Sequence, residues 1–262
     1  MDLGLRDQNV LLTGASGMLG AAAARALAAE GARLALFGRD PERLEPLAQA
    51  LRELGAPHVA IVQGDLADAA STDAAVERAV AVLGPLDVLV AAAGAAQGGL
   101  FWEIDDAAWR RNLEAKLFGT IRVLRAVAPR MVERRAGRIL VIVGNSAKHP
   151  EPRMLPGAAA NAALLAIVRG LAEELGPHGV SINALNPGPV RSPRWDGMMQ
   201  AAATREGTTP AQAEARFLEK SALRRIATAE EVASHVAFLC SARAAHMTGT
   251  SVTIDGGTTK TP

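Results

Sequence analysis

The 262-residue chain predicts an α/β fold, a single doubly wound parallel sheet with helices on both faces. Three observations carry that reading. Runs such as Val10-Leu11-Leu12 and Ile139-Leu140-Val141-Ile142-Val143 are apolar at every position, as strands buried on both faces must be. Segments with helical periodicity separate these runs throughout the chain. The first run enters the turn Thr13-Gly14-Ala15-Ser16-Gly17-Met18-Leu19-Gly20, whose glycines let the backbone fold sharply and a helix pack close to its strand. No linker, repeat or low-complexity tract interrupts the pattern, so residues 1–262 are expected to form one domain.

Each element follows from local signals. The alanine-rich segment after the turn runs to Glu30 without a proline and reads as a helix stopped by Gly31. Residues 33–37 form a second strand. Asp40 and Pro41 mark the next helix start, as N-cap and first position. Leu44, Leu47, Leu51 and Leu54 share a face of that helix, with Pro46 disturbing its first turns. A third strand over 59–62 ends at Gly64, and Ser71-Thr72-Asp73 opens a helix through Val76, Val80 and Leu83. After a strand over 86–90, Asp105 and Asp106 cap a long helical region carrying Trp109, Leu113, Leu117, Ile121, Leu124 and Val127. The strand over 139–143 leads into a polar loop (144–156), a helix over 158–175 and a sixth strand over 180–185. Short helices are expected in the charged segment 190–222, a helix over 230–241 and a last strand over 251–254. In such a sheet the strand ends at Thr13, Phe37, Asp65, Gly94, Ser146 and Pro187 converge on one crevice.

Composition narrows the function. A net charge of +1 gives no electrostatic footprint for nucleic acid or a membrane surface, so neither is expected as a partner. The single Cys240 excludes an internal disulfide and a cysteine metal cluster; no metal is expected, and a reducing cytoplasm is. Residues 1–7 lack a basic segment followed by an apolar core, so no signal peptide is expected. No uninterrupted apolar stretch reads as long enough to span a bilayer. The chain contains no tyrosine.

The turn TGASGMLG, the acidic Asp65, VLVAAAG (88–94), ANAALLAIVRGLAEEL (160–175), NPGPVRS (186–192) and RRIATAEEVASHVAFLCS…MTGTSVTIDGG (224–257) together resemble the short-chain dehydrogenase/reductase family over nearly the whole chain. The resemblance implies a Rossmann fold, with 1–145 mainly the cofactor half and 146–262 the substrate and oligomerisation half. Two departures stand out in the cofactor half. Met18 occupies the position where the commonest branch has glycine, with Gly17 one residue earlier, as in the longer-chain branch. Ala91-Ala92-Ala93-Gly94 replaces the usual NNAG, losing a polar tie between strands.

At the end of the second strand, an acid would bind the ribose 2′-hydroxyl of NAD. Phe37-Gly38-Arg39 offers none, and the Arg39 guanidinium suits a 2′-phosphate, so NADP is expected, with NAD the alternative. Against this, Arg39 also reads as a solvated surface residue, and Asp40 as a helix cap. The resemblance further implies that Thr13, Gly14, Ser16, Gly17, Met18, Leu19 and Gly20 cradle the pyrophosphate. It places Asp65 and Leu66 at the adenine, and Ala93 and Gly94 against the adenosine half. Pro187, Gly188, Val190 and Ser192 would hold the nicotinamide side, and Asn161 the nicotinamide ribose.

The catalytic half breaks the family pattern. Alignment of 160–175 puts Asn161 where the family lysine belongs and Gly157 where the tyrosine belongs. The family serine falls on Gly144, with Ser146 two residues on, and Lys116 stands where the tetrad has asparagine. Tyrosine normally protonates the carbonyl oxygen while lysine lowers its pKa. General acid help is worth ~10²–10⁴-fold in rate, so a reductase built on this chain needs a substitute. Ser146, Lys116, Asn161 and His149 are the catalytic candidates; Lys148, Arg153, Arg194 and Trp195 border the substrate cleft. The leading expectation is an NADP-dependent oxidoreductase acting on a carbonyl or secondary alcohol through a non-standard site. The alternatives are a cofactor-binding protein without redox activity, serving as sensor or complex partner, and a lyase or isomerase reusing the pocket. Apolar residues all round the helix 158–175 predict a homo-dimer or homo-tetramer.

Overall fold

A computed structural model describes residues 2–94 and 98–260. Its strands are β1 (Asn9–Thr13), β2 (Arg33–Gly38), β3 (Val59–Gln63), β4 (Val88–Ala91), β5 (Gly137–Ile142), β6 (Val180–Pro187) and β7 (Ser251–Ile254). They form one seven-stranded sheet in the order β3-β2-β1-β4-β5-β6-β7, and every pairing is parallel. The helices are α1 (Met18–Ala29), α2 (Glu45–Glu53), α3 (Ala69–Leu83), α4 (Asp106–Leu113), α5 (Gly119–Arg134), α6 (Leu155–Leu175), α7 (Pro193–Glu206), α8 (Pro210–Leu218) and α9 (Ala229–Leu239).

Two hydrophobic cores explain why the strands are apolar throughout. Val10 and Leu12 of β1, with Val88 and Val90 of β4, pack into a core shared with α1, α2 and α9. Leu11, Leu89 and Ala91, which alternate with them, face a second core shared with α3, α5 and α6. From β1 the chain first builds outward through β2 and β3, then returns to pair β4 on the other side of β1. The crevice that a doubly wound sheet opens at such a reversal lies beyond Thr13 and Ala91, which are register partners.

Several boundaries differ from expectation. Regular α2 begins at Glu45, not at Pro41, with Pro46 in its first turn, where a missing N–H costs nothing. Asp40 caps no helix; its Oδ1 accepts from the Glu42 N–H in a local turn, 3.1 Å. Leu54, expected on the apolar face, is exposed at the end of that helix. Asp68, rather than Ser71, is the N-cap of α3 and accepts from the Ser71 N–H. Helix α6 starts at Leu155, three residues early, with Pro156 in its first turn.

The region after Asp105 is helical through Arg134, as expected, though not α-helical throughout. Between α4 and α5 the backbone widens into a π turn, Glu114–Phe118. Finally, Leu155–His178 holds an 18-residue window of mean hydropathy 1.5, apolar enough to cross a membrane by length and composition although Asn161 and Arg169 interrupt it. In the fold its Leu164, Val168, Ala172 and Leu175 are buried in the second core.

Candidate active site

At the head of the crevice, glycine is required at two positions of the turn and optional at a third. Gly14 has φ +76°, and a Cβ there would lie 2.7 Å from the backbone of Ala92 and Ala93. A Cβ on Gly20 would lie 2.2 Å from the Gly14 carbonyl oxygen. Gly17, with φ −90°, is the N-cap of α1 and brings no side chain to cap its N–H groups. The first turn of α1 also holds no acidic residue. Its N–H groups and positive dipole end therefore stay available to an anion. Thr13 ties the turn to β4, its Oγ1 accepting from the Ala93 N–H at 3.3 Å. Ser16 and Met18 are exposed beside the turn, and Leu19 is half-buried.

At the end of β2, Arg39 is exposed, and no carboxylate pairs with it among the described residues. Asp65 and Leu66 follow β3, both half-buried. One Asp65 oxygen is committed to its own turn, accepting from the Ala67 N–H at 3.0 Å. Opposite, Pro187 ends β6 in register with Ile254. Gly188 donates its N–H to the Ile254 carbonyl at 2.8 Å. A Cβ on it would lie 2.6 Å from Asp255 Cβ. Val190 is buried and bridged to Ala227. Ser192 caps α7: its hydroxyl donates to the Val190 carbonyl and accepts from the Trp195 N–H, both at 3.1 Å. A separate cavity of about 380 Å³, lined in part by Pro189, Phe217, Ile226 and Ile254, backs onto this turn and contains none of the candidate residues.

The polar corner lies at the end of β5. Gly144, with φ +126°, breaks the strand and leaves room for Asn161, whose Nδ2 would be 3.1 Å from a Cβ there. The amide nitrogen of Asn161 donates to Ser146 Oγ at 2.8 Å. Its Oδ1 is buried without a partner, a state that costs about 1–3 kcal/mol unless a ligand donor fills it. Gly157, one turn earlier on α6, is buried and brings no side chain.

Lys116 reaches the same corner from the π turn. Its stem packs under Gly94, where a Cβ would lie 2.9 Å from Lys116 Cγ. Its Nζ donates to the Val143 carbonyl at 2.8 Å. Burial first, and the charge of Arg194 second, pull the Lys116 amine down to about 8 from 10.5.

Thus Ser146, Asn161 and Lys116 are gathered around the short segment 143–146. His149 is not: it is exposed, and its ring makes no hydrogen bond among the described residues. The anchoring Val143 carbonyl left no trace in the sequence, since any residue supplies one. The π turn likewise has no side-chain signature.

Comparison with known proteins follows the same lines. A family model described as enoyl-(acyl carrier protein) reductase matches residues 14–259. An uncharacterized oxidoreductase, YvrD of Bacillus subtilis, is 32% identical over 98% of both chains. Among solved structures, L-sorbose reductase of Gluconobacter frateurii, complexed with NADPH and L-sorbose, superposes with a TM-score of 0.93 at 30% identity over the whole of both chains. An NAD+-bound xylitol dehydrogenase superposes with a TM-score of 0.91 at 26% identity, over 97% of this chain and 99% of its own.

Proposed function

Since the chain belongs to the short-chain dehydrogenase/reductase family, we propose that it is an NADP-dependent oxidoreductase that interconverts a carbonyl compound and its secondary alcohol through a site without the family tyrosine and lysine. The observation that carries this reading is the paired corner at the end of β5. Asn161 is built in, hydrogen-bonded to Ser146, and left with one buried oxygen that only an incoming donor satisfies. A fold that merely held the adenosine half would have no use for it.

The residues fit the cofactor. Gly14 and Gly20 leave a cradle that a Cβ would fill, next to the unclaimed start of α1. Arg39, with no acid before it at the end of β2, would meet a 2′-phosphate; NAD remains the alternative. Asn161 Oδ1 would accept from a ribose hydroxyl. When bound, the cofactor supplies or takes the hydride. The chain's own task is to orient the carbonyl and provide a proton. Because Asn161 donates to Ser146 Oγ, the serine's own hydrogen is left to point at a substrate oxygen.

A second reading, a cofactor-binding protein without turnover, draws on the absence of any tyrosine and on the buried Gly157 at the family tyrosine position. Assembly belongs to the proposal too: the outward face of α6 would pair with another copy, giving a dimer or tetramer. The deciding experiment is a panel of ketones and secondary alcohols with NADPH or NADP, followed at the nicotinamide absorbance. Turnover lost in Ser146→Ala supports the enzyme. Tight cofactor binding by calorimetry, with no turnover on any substrate, favours the second reading.

A further inference from the structure

Resting on the carbonyl-reductase reading, we propose that Lys116, delivered from the π turn between α4 and α5, is the proton donor that replaces the family tyrosine. The argument begins with the path of the side chain. A helix that simply continued through 114–118 would hold this side chain at another angle; the widened turn is the place in the α4–α5 region where the backbone departs from α geometry. Such turns inside helices are frequent at functional sites. The lysine stem runs beneath Gly94 at the end of β4, and Nζ is held on the Val143 carbonyl at the end of β5. From Val143 the chain passes at once to Gly144, against which Asn161 packs, and to Ser146, which Asn161 bonds. An ammonium, an amide and a hydroxyl thus share one stretch of backbone at the end of β5.

A purely structural lysine would be expected to find a carboxylate, and this one has only a carbonyl among its described bonds. Other charges around it do not supply one. Glu114, on the same turn, is taken by Arg122 at 2.5 Å. Helix α6, packed against the turn, carries no ionisable side chain before Arg169. Arg194 of α7 adds a like charge. The loop 144–154 contributes Lys148, His149, Glu151 and Arg153, and α4 contributes Asp106, Arg110 and Arg111. Nζ has two hydrogens beyond the one given to Val143.

In the reduction, a hydride adds to the carbonyl carbon, the C=O π pair moves to oxygen, and a proton passes from Lys116 Nζ to that oxygen. The neutral amine then recovers a proton from water. In the oxidation the neutral amine takes the proton instead. An amine that titrates near 8 serves both directions close to neutral pH.

The test has two arms. In the first, the holo- and apoprotein are reductively methylated with ¹³C-formaldehyde, and the Lys116 signal, assigned by its loss in Lys116→Met, is titrated by NMR. The expected midpoint is near 8; a midpoint near that of exposed lysines would overturn the proposal without touching the carbonyl-reductase reading. In the second arm, pH profiles of kcat/KM for reduction are compared between the parent protein and Lys116→Arg and Lys116→Met. The parent rate should fall above pH 8. Both variants should lose about 10²-fold or more while keeping calorimetric NADPH affinity, and the arginine variant should lose the alkaline fall. Variants that keep the parent rate and profile sink the proposal, again leaving the reductase reading in place. A parent protein that binds NADPH but reduces nothing sinks both.

Discussion

Gly17 and Gly20 stand in one turn under opposite constraints. A Cβ on Gly20 meets the Gly14 carbonyl oxygen at 2.2 Å and its carbon at 2.7 Å, both backbone atoms that cannot swing aside. At Gly17 the only close atom is 3.3 Å away, and φ is −90°, open to any residue. Gly20→Ala is therefore expected to cost about 3 kcal/mol by overpacking, and to abolish NADPH binding by pushing α1 off the strand. Gly17→Ala should cost under about 1 kcal/mol, the loss of a glycine cap; denaturant titration of both variants is the check. The sequence offered the three glycines as a set, because only the packed backbone distinguishes a turn that tolerates a methyl from one that does not. Arg39 makes a sharper case for legibility, since its claim on a 2′-phosphate rests on the missing acid before it. Arg39→Ala should weaken NADPH by about tenfold, the worth of one charge-assisted hydrogen bond, and leave NADH unchanged. Calorimetry with both cofactors reads this directly, and an unchanged ratio removes the argument. Ser192 shows a different limit: its hydroxyl, expected at the carboxamide, also caps α7, a role set by Pro193 after it.

At the scale of elements, the strands were legible because burial on both faces leaves little but apolar residues in them. The helix starts were less so. Asp68 and Ser71 are both capping types, and the chain uses the first to hold the N–H of the second. Pro156 looked like a loop residue, yet a proline suits the first turn of a helix, so α6 begins before it. Helix α9 starts one residue before the expected 230 and ends at Leu239 rather than 241. Thr228 Oγ1 accepts from the Glu231 N–H at 3.2 Å, and Glu231 accepts from the Thr228 N–H at 2.9 Å, closing a capping box. Helix α9 packs into the same core as α1, so the cap bears on the helix beside the cofactor turn. Thr228→Ala should destabilise the protein by about 1 kcal/mol in urea unfolding. The pH dependence follows from Glu231. Its bond to Arg225, then that to Thr228, hold its carboxyl down at about 2. A carboxyl lowered on folding adds stability above its unfolded value of about 4.3, and that contribution fades as pH falls from there through about 2. Acid unfolding curves of Glu231→Gln and the parent should converge across that window and separate above it. Curves that stay parallel down to pH 2 would dismiss the linkage.

At the scale of the whole molecule, α6 joins the site to the outside. On its inner face Asn161 reaches the polar corner, while Leu164, Val168, Ala172 and Leu175 fill the core. On the outer face Ala159, Ala162, Ala166 and Gly170 are exposed at spacings of three and four residues. Less than half of its most apolar window, 44%, is buried. A helix whose most apolar 18 residues have mean hydropathy 1.5 and hide so little of themselves gains by laying its uncovered face against another apolar surface. Small side chains let a second helix approach closely, and a copy related by a two-fold axis offers the same face in return. The sequence showed that α6 was apolar all round; the fold turns Leu164, Val168, Ala172 and Leu175 to the core. Light scattering at micromolar concentration should therefore give the mass of a dimer or tetramer for the parent protein. Ala166→Arg puts a charge at the centre of the proposed contact, away from the buried face of the helix, and should yield the monomer mass. Because Asn161 sits on the opposite side of the same helix, the monomeric variant should still bind NADPH, with affinity lowered only as far as α6 is stiffened by its partner. A parent protein that is already a monomer at that concentration would leave the outer face of α6 without a partner of its own kind.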